Sequence, residues 1–174
     1  MKGTVAIIGA NQTGLFAAKL FSEQGFSVFV FEKNSRENAA YEWTDDISPS
    51  VFKEVGLPFP PNESRRGLND WLISLLSEGV ELYFDACVTR ALTDGDVVYG
   101  VEFSNGETFE CDLVVDCGGV NSSVRRSLPQ IFQIQNEVNA NDNFSRVPKT
   151  VRSQSIPKKF ILNTKTKTAF PGAF

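Results

Sequence analysis

Residues 4–33, TVAIIGANQTGLFAAKLFSEQGFSVFVFEK, constrain the fold more than any other stretch. Val5, Ala6, Ile7 and Ile8 are a short apolar, β-branched run of the kind buried in a parallel sheet. Gly9 then permits a sharp turn, and Gly14 lets a helix lie close to the strand. Leu15, Ala17, Ala18, Leu20 and Phe21 form a broad apolar stripe at helical spacing. Gly25 stands where a helix C-terminus is expected. Val28, Val30 and Phe31 make a second strand that ends at Glu32. Together these pieces read as one βαβ unit.

Such a turn aims free backbone N–H groups, and the positive end of the helix dipole, at one point where a pyrophosphate fits. Glu32 follows Gly9 by 23 residues (32 − 9). That is close to the spacing of about 20 at which a carboxylate accepts from ribose hydroxyls. Asn11 stands at the middle glycine of G-x-G-x-x-G, where the absence of a Cβ lets the backbone approach the phosphates. Asn tolerates positive φ better than most residues, so the turn is expected to form. Two readings stay open: a dinucleotide site with a less intimate diphosphate, or a βαβ unit that kept the fold and lost the ligand.

The chain has 174 residues, enough for one domain with a real core, and a net charge of −4. The charge is uneven. Residues 1–130 carry 10 Lys+Arg against 19 Asp+Glu, whereas residues 131–174 carry 7 against 2. The cations of the tail are scattered without interleaved aromatics, so a solvated, poorly folded tail is expected rather than a nucleic-acid surface. No apolar run of about 18 residues is present, so no transmembrane segment is expected. The N-terminus runs straight into a strand, which argues against a signal peptide. Cys87, Cys111 and Cys117 form no C-x-x-C pair and read as reduced core residues of a cytoplasmic protein. The chain has no histidine. A Ser-His-Asp or Cys-His mechanism is excluded, as is a His-based metal site, and no metal is expected. Chemistry at neutral pH would come from a cofactor.

Beyond residue 33 the pattern is polar and turn-rich to about residue 49, with Asp45 and Asp46 as turn or capping residues. A short helix is expected over 50–55 and a longer one over 66–77, with Leu68, Trp71, Leu72, Leu75 and Leu76 on one face. Residues 80–84 read as a third parallel strand. Runs at 86–93, 97–103 and 107–110 are separated by Asp94-Gly95-Asp96 and Ser104-Asn105-Gly106. Asp-Gly and Asn-Gly are strong hairpin signals, so these runs predict a three-stranded antiparallel meander. Residues 112–116 (DLVVD) are a further buried strand, followed by Cys117-Gly118-Gly119 and a short helix capped by Asn121 or Ser122. The predicted fold class is α/β, a Rossmann-like parallel sheet of the two-dinucleotide-binding flavoprotein type with an inserted meander.

Four blocks in this order resemble the FAD-dependent oxidoreductases of the geranylgeranyl reductase and aromatic hydroxylase type. VAIIGANQTGLFAA is similar to that family's V-x-I-x-G-x-G-x-x-G-L-x-A-A, and Phe31-Glu32-Lys33 to its strand ending in Glu-Lys or Glu-Arg. RGLNDWL from Arg66 is similar to R-x-x-F-D-x-x-L, with Asn69 where Phe is usual. DLVVDCGGVNSSVRRSLP from Asp112 is similar to D-L-V-V-D-A-x-G-x-N-S-x-V-R-R. The resemblance implies FAD as cofactor. It implies Gly9, Ala10, Asn11, Gln12, Thr13 and Gly14 around the pyrophosphate, Glu32 on the adenosine ribose and Lys33 beside the adenine. It also implies Arg66 toward the pyrophosphate or ribityl chain, Val88 against adenine through its backbone, and Gly118 close to the cofactor. For Arg66 a solvated cation at a helix start is the competing reading, and a solvated helix face is expected for Arg125 and Arg126. Glu32 disfavours the 2′-phosphate of NADP.

The resemblance covers about residues 3–130 and assigns no catalytic residue. The expected organisation is an FAD/NAD(P)-binding domain over 1–130, with the meander at about 86–110, and an irregular basic tail over 131–174, read as a truncated or altered C-terminus. The expected function is binding of the ADP moiety of FAD, with little turnover by the chain alone. The alternatives are a non-catalytic nucleotide-binding or partner-binding remnant and an NAD-dependent dehydrogenase domain. Expected partners are an apolar small-molecule substrate and a second copy or another chain that completes the fold.

Overall fold

The computed structural model describes residues 2–39, 48–61 and 65–136. β1 (Thr4–Ile8) leads through the glycine turn into α1 (Gln12–Glu23), and β2 (Ser27–Phe31) returns parallel to β1. A short α2 (Pro49–Glu54) and α3 (Arg65–Ser74) precede β3 (Val80–Tyr83), which pairs parallel to β2. β4 (Val88–Asp94), β5 (Val97–Phe103) and β6 (Thr108–Glu110) form a separate antiparallel meander. β7 (Leu113–Asp116) then returns beside β1, so the parallel sheet has the order β3-β2-β1-β7. α4 (Ser123–Ser127) follows. This is the α/β class expected from the sequence, with the meander in place.

Strand alternation sends successive side chains to opposite faces of the parallel sheet. Val5 and Ile7 of β1, with Val28 and Val30 of β2, pack against Leu15 and Ala18 of α1 and Leu72 of α3. Ala6, Ile8 and Phe31 pack on the other side against Val88, Ala91 and Val101 of the meander and Val124 of α4. Residues 5–8 of β1 are all apolar, in keeping with cover on both faces. The result is three layers: helices, parallel sheet, and meander with α4. An aromatic seam joins the last two, with Phe31 centred 4.9 Å from Phe103 and 5.1 Å from Phe109, and Phe29 centred 4.8 Å from Phe109. Such ring pairs add to the burial of their area.

One local difference from expectation has a plain cause. α3 ends at Ser74 rather than at residue 77, because the Leu75 and Leu76 amides bond to Leu72 and Ile73, three residues back, and tighten the last turn. α4 is capped by Ser122, whose Oγ accepts from the Arg125 N–H at 3.1 Å, while Asn121 Oδ1 accepts from the Arg126 side chain. Residues 130–136 continue the packing: Phe132 lies against the meander-side core and Asn136 Nδ2 donates to the Leu128 carbonyl at 2.9 Å. Asp45 and Asp46, and the tail from 137 to 174, lie outside the described residues. Among the described residues no helix is long and apolar enough to cross a membrane, and no cluster of metal-ligating side chains occurs.

Candidate functional site

The C-terminal ends of β1, β2 and β7 lie side by side, and the site is built from the loops that leave them. In open α/β sheets this end is where ligands bind. Gly9 ends β1 at φ +105, a conformation that favours glycine, and a Cβ there would lie 2.9 Å from the Cys117 carbonyl oxygen. Its N–H donates to the Phe31 carbonyl at 2.8 Å and holds the turn beside β2. A Cβ on Gly14 would run into the Gly9 carbonyl oxygen, so α1 can approach β1 only with glycine at this position.

Asn11 does not use the positive φ anticipated for it. It is extended, at φ −81 and ψ 179, and serves as the N-cap of α1. The extended backbone turns its side chain toward the first helical turn, where Oδ1 accepts from the Gly14 N–H at 3.0 Å. Its Nδ2 donates to the Cys117 carbonyl at 2.7 Å, which ties the glycine turn to the end of β7. The N–H groups of Asn11, Gln12 and Thr13 have no acceptor among the described residues.

Glu32 is buried, at 7% exposure. Oε2 accepts from the Ala10 N–H and Oε1 from the Asn34 N–H, each at 2.9 Å. Two backbone amides thus solvate a charge that burial would otherwise penalise. Asn69 of α3 is buried behind the same turn. Its Nδ2 donates to the Ala39 carbonyl at 3.0 Å and reaches the Ala10 carbonyl at 3.4 Å.

The third wall follows β7. Asp116 Oδ1 accepts from the Gly118 N–H at 2.9 Å, and Oδ2 accepts from Ser122 Oγ, the hydroxyl that caps α4. Ser123 Oγ donates to the Val88 carbonyl at 2.6 Å and fixes α4 to the first meander strand. Burial, aided by the neighbouring Asp116 charge, pushes the Cys117 thiol up to about 11. At neutral pH it is a protonated, weakly nucleophilic wall residue.

These segments enclose a cavity of about 550 Å³. Gly9, Asn11, Glu32, Lys33, Val88 and Gly118 all line it. Ala10, Gln12, Thr13 and Gly14 are not among its lining residues; Ala10 lies in the turn and the other three open α1. Arg66 lies in the first turn of α3, and its side chain is outside the described part of the chain. The cavity also takes Asn34, Cys87, Thr89, Asn121 and Ser122, which the sequence reading had not placed there. Cys87 and Thr89 flank Val88 at the start of the first hairpin, and Asn121 and Ser122 belong to the Asp-x-Gly block.

Sheet order, meander position and the glycine turn define the class: a Rossmann-like parallel sheet with an inserted antiparallel meander. The chain is 23% identical over 152 residues to the digeranylgeranylglycerophospholipid reductase of Haloferax volcanii, with 71% of this chain and 37% of that protein covered. It is 28% identical over 167 residues to the 6-hydroxynicotinate 3-monooxygenase of Pseudomonas fluorescens, with 71% and 42% covered. Among solved structures its fold matches PqsL, a probable FAD-dependent monooxygenase from Pseudomonas aeruginosa, with a TM-score of 0.53 at 20% identity, over 71% of this chain and 44% of that one. The chain spans about two fifths of the length of the curated relatives it matches. No protein-family model matches it.

Proposed function

We propose that residues 2–136 are the FAD-binding domain of a flavin-dependent oxidoreductase. The observation that carries this reading is a convergence. Gly9, Glu32 and Gly118, which follow three different parallel strands, and Val88 of the meander line one cavity. Its volume, about 550 Å³, lies within the range of roughly 300–1,000 Å³ usual for small-ligand sites.

The donor set fits the cofactor. The free amides of Asn11, Gln12 and Thr13 at the positive end of a 12-residue helix suit the diphosphate. Each Glu32 oxygen accepts one backbone N–H and has a lone pair left for a ribose hydroxyl. The Glu32 charge sits where the 2′-phosphate of NADP would bring a second negative charge. Val88 and the Lys33 stem would offer surface for adenine, and the backbone at Gly118 would lie close to the cofactor. Arg66 would act on the diphosphate or ribityl chain. The cofactor supplies the redox chemistry when bound, and these residues bind and orient it. By analogy with the lipid reductase among the relatives, an apolar small molecule is the substrate of the proposed oxidoreductase.

Isothermal titration with FAD, ADP and NAD tests the reading. FAD is expected to bind at least as tightly as ADP, and NAD more weakly. Binding of NAD alone would instead favour a dehydrogenase domain. A second reading draws on Asn11, whose side chain already takes the Gly14 N–H. In that reading the unit is a nucleotide-free remnant, and neither FAD nor ADP binds.

A further inference from the structure

The Asn11 carboxamide spans the glycine turn from the Gly14 amide to the Cys117 carbonyl, at 3.0 and 2.7 Å, and borders the cavity. We propose that Asn11 is an internal latch that competes with a ligand diphosphate for the positive end of α1, so that it stabilises the ligand-free domain and lowers its affinity for FAD. The inference rests on the reading of the cavity as the FAD site.

A glycine at this position leaves the first-turn amides open to a phosphate, whereas Asn11 places a Cβ and a carboxamide there. One amide of the first turn, that of Gly14, is already satisfied by the side chain, and those of Asn11, Gln12 and Thr13 remain. The carboxamide is neutral. A diphosphate carries negative charge, and charge-assisted bonds to backbone N–H are roughly twice as strong as neutral ones. The ligand can therefore displace the side chain, but both of its hydrogen bonds must break first. Without ligand the bond to the Cys117 carbonyl joins segments 106 residues apart in sequence, the turn after β1 and the end of β7. The same side chain thus closes the empty site and opposes its filling.

The test compares the unaltered chain with Asn11→Gly and Asn11→Ser, using titration with FAD and with adenosine, and melting without ligand. Asn11→Gly is expected to bind FAD about tenfold tighter, the equivalent of about 1.4 kcal/mol. Adenosine affinity should not change, because adenosine carries no phosphate. The ligand-free glycine variant should melt several degrees lower; glycine's own backbone entropy contributes to that drop, so the lost Cys117 bond is read from Asn11→Ser, which adds no such entropy. Asn11→Ser keeps an oxygen for the Gly14 amide but cannot span to Cys117, and should fall between the two; it decides the matter if the glycine variant does not fold. FAD affinity equal to or weaker than that of the unaltered chain, with adenosine binding retained, overturns the latch and leaves the FAD reading standing. If no form of the protein binds FAD or adenosine, both the reading and the latch fall.

Discussion

The Glu32 carboxylate accepts the Ala10 N–H at 2.9 Å, and this bond fastens the end of β2 to the turn after β1. The other carboxylate oxygen holds the Asn34 N–H. One buried side chain therefore shapes two of the loops around the cavity. Glu32→Ala leaves two backbone amides without acceptors. Each such loss costs about 1–3 kcal/mol, so a stability loss of about 2–6 kcal/mol is expected in urea unfolding, together with weaker FAD binding. A change below about 0.5 kcal/mol would show that water replaces the carboxylate freely.

Gly14→Ala tests the approach of α1 to β1. Its Cβ would meet the Gly9 carbonyl, which is backbone and cannot rotate away. Overpacking of this kind costs about 1–3 kcal/mol, and the turn itself must shift. Lower thermal stability and a loss of FAD affinity are expected together. Retention of both would mean that α1 slides without disturbing the turn.

Ser122 is nearly buried and has two jobs, capping α4 and donating to Asp116. Ser122→Ala removes a helix cap, at a cost of about 1 kcal/mol, and frees the Asp116 carboxylate that holds the Gly118 amide. Melting is expected to drop by several degrees. Ser122→Thr, which keeps the hydroxyl, should retain most of the cap. Equal losses from both variants would assign the effect to packing.

Cys117 gives a pH signature. Burial first, and the Asp116 charge second, raise its thiol from 9.0 to about 11. The folded state holds this proton more tightly than the unfolded chain does. The stabilisation is therefore complete below pH 9 and is lost as pH rises through 9 to 11, by on the order of 2 kcal/mol. Urea unfolding at pH 8 and pH 11 should show a smaller alkaline loss for Cys117→Ala than for the unaltered chain. Equal losses would place the thiol in water.

The parallel core was legible because its signals are local. An apolar run, a glycine turn and a 3.6-residue stripe each occupy a few residues, and Asp-Gly and Asn-Gly mark the meander. The end of α3 was misplaced because Leu75 and Leu76 continue the apolar stripe after the hydrogen bonds have shifted to the tighter pattern. Asn11 was read through its tolerance of positive φ, whereas it is extended and caps α1 through the Gly14 N–H three residues on; only its bond to the Cys117 carbonyl depends on chain far away in sequence. The same holds for Asn69. It stands where Phe is usual in the family pattern, and only the fold brings it to the carbonyls of Ala39 and Ala10. Phe31 was read as part of the second strand, but its partners Phe103 and Phe109 were not visible, because the face that the meander covers is a tertiary fact.

The most direct measurement is on a single sample. The purified protein is incubated with excess FAD, passed through a desalting column and denatured, and the released small molecule is identified by absorbance and mass. The account predicts FAD at close to one molecule per chain, and its loss in Glu32→Ala. A colourless protein that releases no nucleotide, with a melting temperature unmoved by FAD, would contradict it, because a ligand that binds the native state must raise that temperature.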